Sequence, residues 1–207
     1  MITPERLFNT LYCRTNSESI SRSERNRLKI DEDDFIYGEI EFASFVGVLE
    51  KLSLQSGGIF YDLGCGAGKA VLAAALNFDL SKSVGIELLP GLCEVANEKI
   101  QQAILILQSV KNELTDLYLK RLASIQIINA DLHQCDIAEA DIVFINATCF
   151  GYTNWEKIKE KLLTLKIGSH VIVTTKKIQH DHFQMVSESF ELMSWGMNSL
   201  NIFKKIK

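Results

Sequence analysis

The amino-acid sequence predicts an α/β fold: a single doubly wound, Rossmann-like sheet that is mostly parallel and ends in an antiparallel hairpin. From Gly58 onward, short apolar runs alternate with amphipathic stretches, which indicates strands joined by helices and a parallel sheet covered on both faces. Near the C-terminus, two further apolar runs are separated only by Gly196-Met197-Asn198. Such a short link can join only antiparallel neighbours.

The size and composition of the chain are those of one compact domain. It has 207 residues, of which 47% are hydrophobic and 23% charged, and its formal net charge of −4 gives no overall attraction to nucleic acid. The N-terminal sequence lacks the basic start and apolar run of a secretory signal, and no later stretch is long enough to span a bilayer. We therefore expect an intracellular protein, cytoplasmic or nuclear, with no membrane contact.

The sequence predicts a short N-terminal helical cap or lid, residues 1–39, and one main domain, residues 40–207. The cap is polar and contains two short amphipathic stretches, Glu5–Tyr12 and Ser21–Leu28. The main domain begins with a helix between Ile40 and Leu52, because apolar residues recur there at helical spacing before Gly57-Gly58 interrupt the pattern.

Short apolar runs predict the strands of the sheet. They lie at Ile59–Tyr61, Ser83–Glu87, Ser124–Asn129, Asp141–Asn146 and His170–Thr175, with the hairpin at Phe190–Trp195 and Ser199–Phe203. Helical periodicity predicts helices at Lys69–Asn77 and Asn154–Leu165. Between the second and third strands, one apolar face persists from Ile100 almost to Arg121, which predicts a single long helix.

The strongest motif is Asp62-Leu63-Gly64-Cys65-Gly66-Ala67-Gly68, which lies where the first strand meets the helix that follows it. Glycines there permit a tight turn and let a ligand approach the backbone, at the edge of the sheet where such folds bind ligands. Glu87 ends the second strand about twenty residues later. An acidic side chain at that position can accept both hydroxyls of a ribose, so the motif predicts an adenosine-containing cofactor.

Three features decide between NAD and S-adenosylmethionine as that cofactor. The glycines are spaced G-x-G-x-G and not G-x-G-x-x-G, Asp62 precedes them, and the sheet ends in a hairpin. At the tip of the strand, Asp62 would repel a pyrophosphate, but it could hold the cationic amino-acid end of S-adenosylmethionine. The pattern therefore favours S-adenosylmethionine.

Asp131 follows the third predicted strand. Its carboxylate could accept a hydrogen bond from the exocyclic amine of adenine, or it could be the N-cap of the next segment. The position of Asp131 in the sequence is compatible with both roles.

Neither a metal site nor a disulfide framework is predicted. The five cysteines are widely spaced and form no C-x-x-C pair, which is typical of free thiols. His180-Asp181-His182 contains side chains that can bind metals. However, alternate residues of a strand face opposite sides and no third ligand is evident, so a solvated connection is the preferred interpretation.

Four segments form a recognisable pattern. They are Tyr37-Gly38-Glu39, the turn from Asp62 to Gly68, Val84-Gly85-Ile86-Glu87, and Phe144-Ile145-Asn146 followed by Phe150-Gly151. In this order they resemble the disruptor-of-telomeric-silencing type of histone-lysine methyltransferase, over a stretch from about Phe35 to Lys177. The resemblance implies a class I methyltransferase fold, S-adenosylmethionine as cofactor, and a lysine of a protein as acceptor.

The resemblance also implies roles by position. Tyr37 and Glu39 would belong to a loop that closes over the methionine end of the cofactor, with Tyr37 also near the reacting groups. Asn146 would lie beside both the cofactor and the transferred methyl group, and Phe150 near the lysine channel. Glu87 would lie at the ribose, and Asp131 and Leu132 at the adenine. The other cofactor-binding positions are Asp62, Gly64, Gly66, Gly68, Lys69 and Leu88.

The chain departs from the family pattern at three positions. Ala147 stands where the family often repeats Asn, Ile40 replaces a hydroxyl residue, and Lys69 replaces an amide. These changes are compatible with cofactor binding and leave the identity of the substrate open.

Charge patterning bears on the partner. The basic cluster Arg22, Arg25, Arg27 and Lys29 is followed at once by Asp31, Glu32, Asp33 and Asp34. The acidic run would offset most of the field of the cluster within about one Debye length. We therefore expect a protein substrate with an accessible lysine, without strong binding to nucleosomes or DNA.

Two other functions remain open. One is methylation of a nucleic acid or a small molecule. Amino-methylating enzymes for bases carry Asn or Asp followed by Pro-Pro and an aromatic residue after the fourth strand, whereas Asn146-Ala147-Thr148-Cys149 has no proline. The other is a module that binds the cofactor without turnover.

Overall fold

The computed structural model describes residues 2–29, 38–52, 54–110 and 112–207. These contain one seven-stranded sheet in the order β3-β2-β1-β4-β5-β7-β6. Its strands are β1 Gly58–Leu63, β2 Leu80–Glu87, β3 Ile125–Asn129, β4 Ile142–Ile145, β5 His170–Thr174, β6 Phe183–Met193 and β7 Gly196–Lys205. The first five pair in parallel, and β7 pairs antiparallel with both β5 and β6. The predicted fold class is therefore confirmed.

The strand order reverses next to β1. From β1 the chain runs outward through β2 to β3 and then returns to place β4 on the other side of β1. Open α/β sheets bind ligands at such a reversal, outside the carboxyl ends of the strands. The turn from Asp62 to Gly68 lies at this edge, because it follows β1 directly.

Helices cover both faces of the sheet. They are α1 Pro4–Tyr12, α2 Ser17–Leu28, α3 Phe42–Glu50, α4 Lys69–Asn77, α5 Pro90–Ser109, α6 Glu113–Leu122 and α7 Tyr152–Leu162, with a short 3-10 helix at Leu132–Gln134. Alternate strand residues face opposite layers: Phe60 packs with the cluster formed by α1, α3 and α4, and Tyr61 with the cluster that contains Trp155 of α7. Among the described residues, no helix combines the length and apolar character needed to cross a membrane.

The N-terminal helix α1 is packed into this core. Thr3 caps the helix, because its hydroxyl accepts a hydrogen bond from the Arg6 amide at 3.2 Å. Leu7 and Phe8 are buried, and the Phe8 ring lies 4.8 Å from that of Phe42 in α3. The apolar face of α1 therefore continues the core of the sheet domain, and the domain boundary at residue 39 stays a prediction.

The predicted long helix up to Arg121 is wrong, since α5 ends at Ser109 and α6 begins at Glu113. Asn112 starts the second helix: its side chain accepts hydrogen bonds from the Leu114 and Thr115 amides, each at 3.1 Å. Both helices bury their apolar residues in the same cluster. The apolar periodicity therefore continues across the break and conceals it.

The C-terminal hairpin is confirmed, but its predicted position is wrong. The strands are longer than predicted, and the tight turn is Ser194-Trp195, since Met193 pairs with Gly196. Gly196 has a φ of 125°, which favours glycine, and it begins β7. Sequence patterning missed the first half of β6 because Gln184 and Glu188 lie on an exposed edge strand, where polar residues look like a loop.

Candidate functional site

The glycine turn between β1 and α4 forms one wall of the site. Gly64, Gly66 and Gly68 have φ values of 83°, 53° and 77°, a left-handed backbone that other residues rarely adopt. Gly68 also allows close helix packing, because a Cβ on it would lie 2.9 Å from the Cβ of Ala96 in α5. Gly64 and Gly66 line the adjoining cavity, whereas Gly68 lies behind it.

An open cavity of about 1060 Å³ lies at this edge of the sheet. Its walls contain most of the side chains predicted from the sequence: Glu39, Asp62, Gly64, Gly66, Lys69, Glu87, Leu88, Asp131, Leu132, Asn146 and Phe150. Of the two other predicted residues, Gly68 does not line the cavity and Tyr37 lies outside the described residues.

Glu87 is fixed by two main-chain amides at the end of β2. Its carboxylate accepts hydrogen bonds from Gly66 N and from Leu89 N, each at 2.9 Å. Burial raises the pKa of the Glu87 carboxyl, and these two hydrogen bonds oppose the rise. Each carboxylate oxygen retains a second lone pair. Glu87 can therefore hold the glycine turn and still accept hydroxyl groups of a ribose.

Asp62 is a buried carboxylate that faces the cavity. Only 3% of the residue is exposed. Burial raises the pKa of the Asp62 carboxyl well above its usual range, and the Glu87 carboxylate raises it further. A cationic ligand would relieve both effects. The cavity therefore fits S-adenosylmethionine, which carries an ammonium and a sulfonium group.

Lys69 and Glu39 form an ion pair beside the glycine turn. The Lys69 ammonium also lies 5.2 Å from the centre of the Tyr12 ring, and the Tyr12 hydroxyl donates to Ala67 O at 2.9 Å. Burial raises the pKa of Tyr12 well above its usual range, as does the negative charge of Glu39. Tyr12 thus connects helix α1 to the site. Sequence reasoning missed this contact, because Tyr12 continues an ordinary apolar helix face.

The structure shows one of the two roles considered for Asp131 from the sequence, the N-cap, and its contact with adenine stays a prediction. It is the N-cap of the 3-10 helix, where its Oδ1 accepts from His133 N at 2.9 Å, and it also lines the cavity. Next to it, His133 Nε2 lies 2.6 Å from Asn154 Oδ1, and both side chains line the cavity. Sequence reasoning missed His133 and Asn154, which belong to no local motif.

Helix α2 closes another side of the cavity. Ser21 is among the lining residues, and Glu24 Oε2 accepts a hydrogen bond from Gly91 N in the first turn of α5 at 2.8 Å. That hydrogen bond lowers the pKa of Glu24. The sequence carried no signal for this contact, because it joins the Glu24 side chain to a main-chain amide that is distant in the sequence.

Asn146 follows β4 and connects the cavity to the segment that precedes α3. Its Nδ2 donates to Gly38 O at 2.7 Å, and its Oδ1 accepts from Thr174 Oγ1 at 2.7 Å and from Thr148 Oγ1 at 3.1 Å. The Trp195 ring covers Gly38, because a Cβ there would lie 2.0 Å from a ring atom. Phe150 and Cys149 complete this wall of the cavity.

The segment His180-Asp181-His182 lies away from this cavity, before β6. His180 Nδ1 accepts from His182 N at 3.1 Å, and His182 Nδ1 lies 3.3 Å from the Lys205 ammonium. Within the described ranges, no group of three or more His, Cys, Asp or Glu side chains is arranged to hold a metal ion. The cysteines Cys13, Cys65, Cys93, Cys135 and Cys149 are free thiols.

Several solved structures with the same architecture are titled as methyltransferases. An RNA methyltransferase from Salinibacter ruber in complex with S-adenosyl-L-homocysteine superposes with a TM-score of 0.56 at 19% identity, over 80% of this chain and 92% of that one. A structure titled as a putative RNA methyltransferase from Pyrococcus horikoshii gives a TM-score of 0.61 at 13% identity and covers both chains fully. At such identities, the likeness shows the fold alone.

Similarity in sequence shows the family. The profile of histone methylation protein DOT1 matches residues 22–202. A protein-lysine N-methyltransferase of Saccharolobus islandicus is 31% identical over 72% of this chain and 73% of its own length. A Gibberella zeae protein named histone-lysine N-methyltransferase, H3 lysine-79 specific, is also 31% identical, but this chain spans only 28% of it. The chain therefore belongs to the DOT1 family of histone methylation proteins and is a methyltransferase that uses S-adenosylmethionine.

Proposed function

We propose that this chain transfers the methyl group of S-adenosylmethionine to the side-chain nitrogen of a lysine in a protein. The observation that carries the proposal is the composition of the wall around Asn146. This wall holds a fixed amide and the apolar side chains of Phe144, Cys149 and Phe150. The Asp62 carboxylate lines the same cavity, in register with Phe144 on the neighbouring strand. The names of the relatives from Saccharolobus islandicus and Gibberella zeae support lysine as the acceptor.

Some residues of the site would bind the cofactor, and others would align the acceptor nitrogen with the methyl group. S-Adenosylmethionine, when bound, supplies an electrophilic methyl group and a neutral leaving group. Asp62 would hold the cationic end of the cofactor, Glu87 the ribose, and Asp131 the adenine. Asn146 and Phe150 would border the path by which the acceptor approaches, and hold the nitrogen in line with the methyl group.

The acceptor lysine must lose its proton before it can attack. A lysine with an ordinary pKa of about 10.4 is neutral in only about one part in a thousand at pH 7. Burial lowers the pKa of a lysine, whereas a nearby carboxylate raises it. With the Asp62 carboxylate paired to the cationic cofactor, the uncharged Asn146 amide and its apolar neighbours favour the neutral, reactive form of the acceptor.

We also propose that the substrate is not held through nucleosomal DNA. In the basic cluster, Arg22 pairs with Glu18 at 3.0 Å and Arg27 with Glu24 at 2.8 Å, and Arg25 is buried. Binding to DNA draws its affinity from cations that neutralise phosphates and release counterions. Of the four cationic side chains, two therefore form ion pairs within helix α2 and a third is buried. The acidic run that follows lies outside the described residues.

A methyl-donor assay tests the proposed activity. Purified protein is incubated with S-adenosylmethionine labelled in the methyl group and with protein, RNA and metabolite fractions of the native cell, and Asn146→Ala is the matched control. We expect the label in the protein fraction, on lysine nitrogen, at a rate that falls in the control. Label in RNA or in metabolites alone, or no label in any fraction, would overturn the proposal.

A binding titration tests the partner. Purified nucleosomes and free histones are titrated with the protein at near-physiological salt. We expect weak nucleosome binding that is lost steeply as salt rises. Submicromolar affinity for nucleosomes, with intact nucleosomes methylated faster than every other protein fraction, would show instead that the enzyme acts on histones in chromatin.

A further inference from the structure

A network of hydroxyl and amide groups lies behind Asn146, on the side away from the cavity. Thr148 Oγ1, which donates to Asn146 Oδ1 at 3.1 Å, accepts a hydrogen bond from Asn198 Nδ2 at 3.3 Å. Thr175 Oγ1 donates to Asn198 Oδ1 at 3.2 Å and lies 3.0 Å from Thr148 Oγ1. The hydroxyl of Thr175 is therefore connected to Asn146 through side chains from β7 and from the loop after β4.

Thr175 adopts an unfavourable backbone conformation to reach this position. Its φ is 64°, a region that a β-branched residue rarely enters. The Lys176 amide donates to Thr174 O at 2.6 Å, so that Thr175 is the centre of a strained γ-turn. Elsewhere among the described residues, glycine occupies every position with a positive φ except Lys29. At residue 175, a side chain is present where backbone conformation alone would favour glycine.

The network fixes the orientation of the Asn146 amide. Gly38 O can only accept, so it must face the Nδ2 side of Asn146, at 2.7 Å. The hydroxyl of Thr174 accepts from Ala147 N at 2.9 Å, which leaves its proton for Asn146 Oδ1. Thr148 supplies the second donor to that oxygen. Asn198 and Thr175 in turn hold Thr148, since Asn198 donates to its oxygen.

We propose that Thr175 is a positioning residue: through Asn198 and Thr148 it holds the Asn146 side chain in the orientation that methyl transfer requires. Thr175 does not line the cavity, so it acts on the reaction through Asn146 and not by contact with the ligands. The proposal rests on the proposed function for the role of Asn146. It accounts for the presence of threonine at a strained position, because the hydroxyl side chain completes the network.

Three substitutions separate the hydroxyl from the backbone strain. Thr175→Val keeps the branched shape and the strain but removes the hydroxyl, Thr175→Ser keeps the hydroxyl, and Thr175→Gly removes both the hydroxyl and the strain. We expect the turnover number to fall about tenfold in the Val and Gly variants and to stay within about twofold in the Ser variant. Affinity for S-adenosylhomocysteine should stay unchanged in all three. Thermal stability of the Gly variant should equal or exceed that of the wild type.

A second measurement does not depend on turnover. The side-chain amide protons of Asn146 are followed by NMR in the protein bound to S-adenosylhomocysteine. In Thr175→Val their chemical shifts should move and their exchange with solvent should accelerate, and Thr175→Ser should restore both. Unchanged Asn146 signals in the Val variant, or a Ser variant as impaired as the Val variant, would overturn the proposal. If the wild type methylates no protein, the proposed function fails, and the NMR comparison still decides the role of Thr175.

Discussion

The Asn146 amide and the Gly38 carbonyl are joined by a hydrogen bond of 2.7 Å, which ties the end of β4 to the segment that leads into α3. Because Gly38 contributes an acceptor, this contact requires a donor on the Asn146 side. The substitution Asn146→Asp therefore tests both this contact and the proposed role in methyl transfer, since it replaces only the side-chain NH2 group by a carboxylate oxygen.

Asn146→Asp should reduce turnover by about 100-fold. Its carboxylate would oppose the Gly38 carbonyl, and it would raise the pKa of the acceptor lysine. Affinity for S-adenosylmethionine should not fall, because in the proposed arrangement the new negative charge would lie beside a cationic cofactor. Single-turnover kinetics and calorimetry measure the two effects separately. Asn146→Ala, which adds no charge, should cost less turnover; equal losses in the two variants would contradict the electrostatic explanation.

Glu87→Ala should weaken both cofactor binding and the fold. The change leaves the amides of Gly66 and Leu89 without their acceptor, at a cost of roughly 1–3 kcal/mol for each unsatisfied buried group. Denaturant unfolding and calorimetric titration with S-adenosylhomocysteine measure the two losses. Glu87→Gln retains one acceptor oxygen and should recover part of the stability. Normal cofactor affinity in the Ala variant would show that Glu87 supports only the turn.

Binding of the cofactor should release protons from Asp62. In the free protein its pKa is raised, so the associated stability is fully present below the unfolded value of about 3.9 and is lost as pH rises through the folded value. The cationic groups of S-adenosylmethionine lower that pKa when they bind, so affinity should rise with pH up to the raised value. Calorimetry in buffers of different ionisation enthalpy counts the released protons.

Asp62→Asn is the control for the proton release. The variant should bind the cofactor more weakly and without the proton release that is due to Asp62. At neutral pH, the free variant should be more resistant to heat than the wild type, because it no longer buries an ionisable group. If the variant releases as many protons as the wild type when the cofactor binds, the titrating group is not Asp62.

Lys69→Gln should loosen the segment that carries Glu39. The two side chains are only 23% and 16% exposed, so their ion pair is better shielded from solvent than a surface pair. We expect the apparent KM for S-adenosylmethionine to rise about tenfold with a smaller change in turnover number, because the loss concerns binding. Steady-state kinetics provides the measurement. Lys69→Arg preserves the charge and should retain most of the affinity; equal KM values for Gln and wild type would exclude the role.

The parts of the site that follow strands could be predicted from the sequence. Asp62, Glu87 and Asn146 each stand at the carboxyl end of a parallel strand or just after it, so the fold brings them to one edge. Tyr12 could not be predicted, because its contact joins residues that are distant in the sequence. The same holds for Glu24, whose contact with the first turn of α5 depends on how α2 packs.

The errors in the predicted fold have a common cause. Apolar periodicity reports which face of an element is buried, and it does not report where the hydrogen-bond ladder stops. The break at Asn112 therefore remained hidden while the apolar face continued into α6. The edge strand β6 was underestimated for the opposite reason, since an exposed strand shows little apolar pattern.

The Trp195 ring packs against Gly38, so the fluorescence of Trp195 reports on the candidate site. Trp195 is 44% exposed at the hairpin turn, and its ring touches the segment that Asn146 holds from the other side. Trp155, the second tryptophan of the chain, lies on the buried face of α7, is 7% exposed and should contribute a constant background. Movement of the Gly38 segment changes the solvation of one indole only. Emission spectra of the unlabelled protein therefore follow that movement directly, and replacing Trp195 by Phe removes the signal.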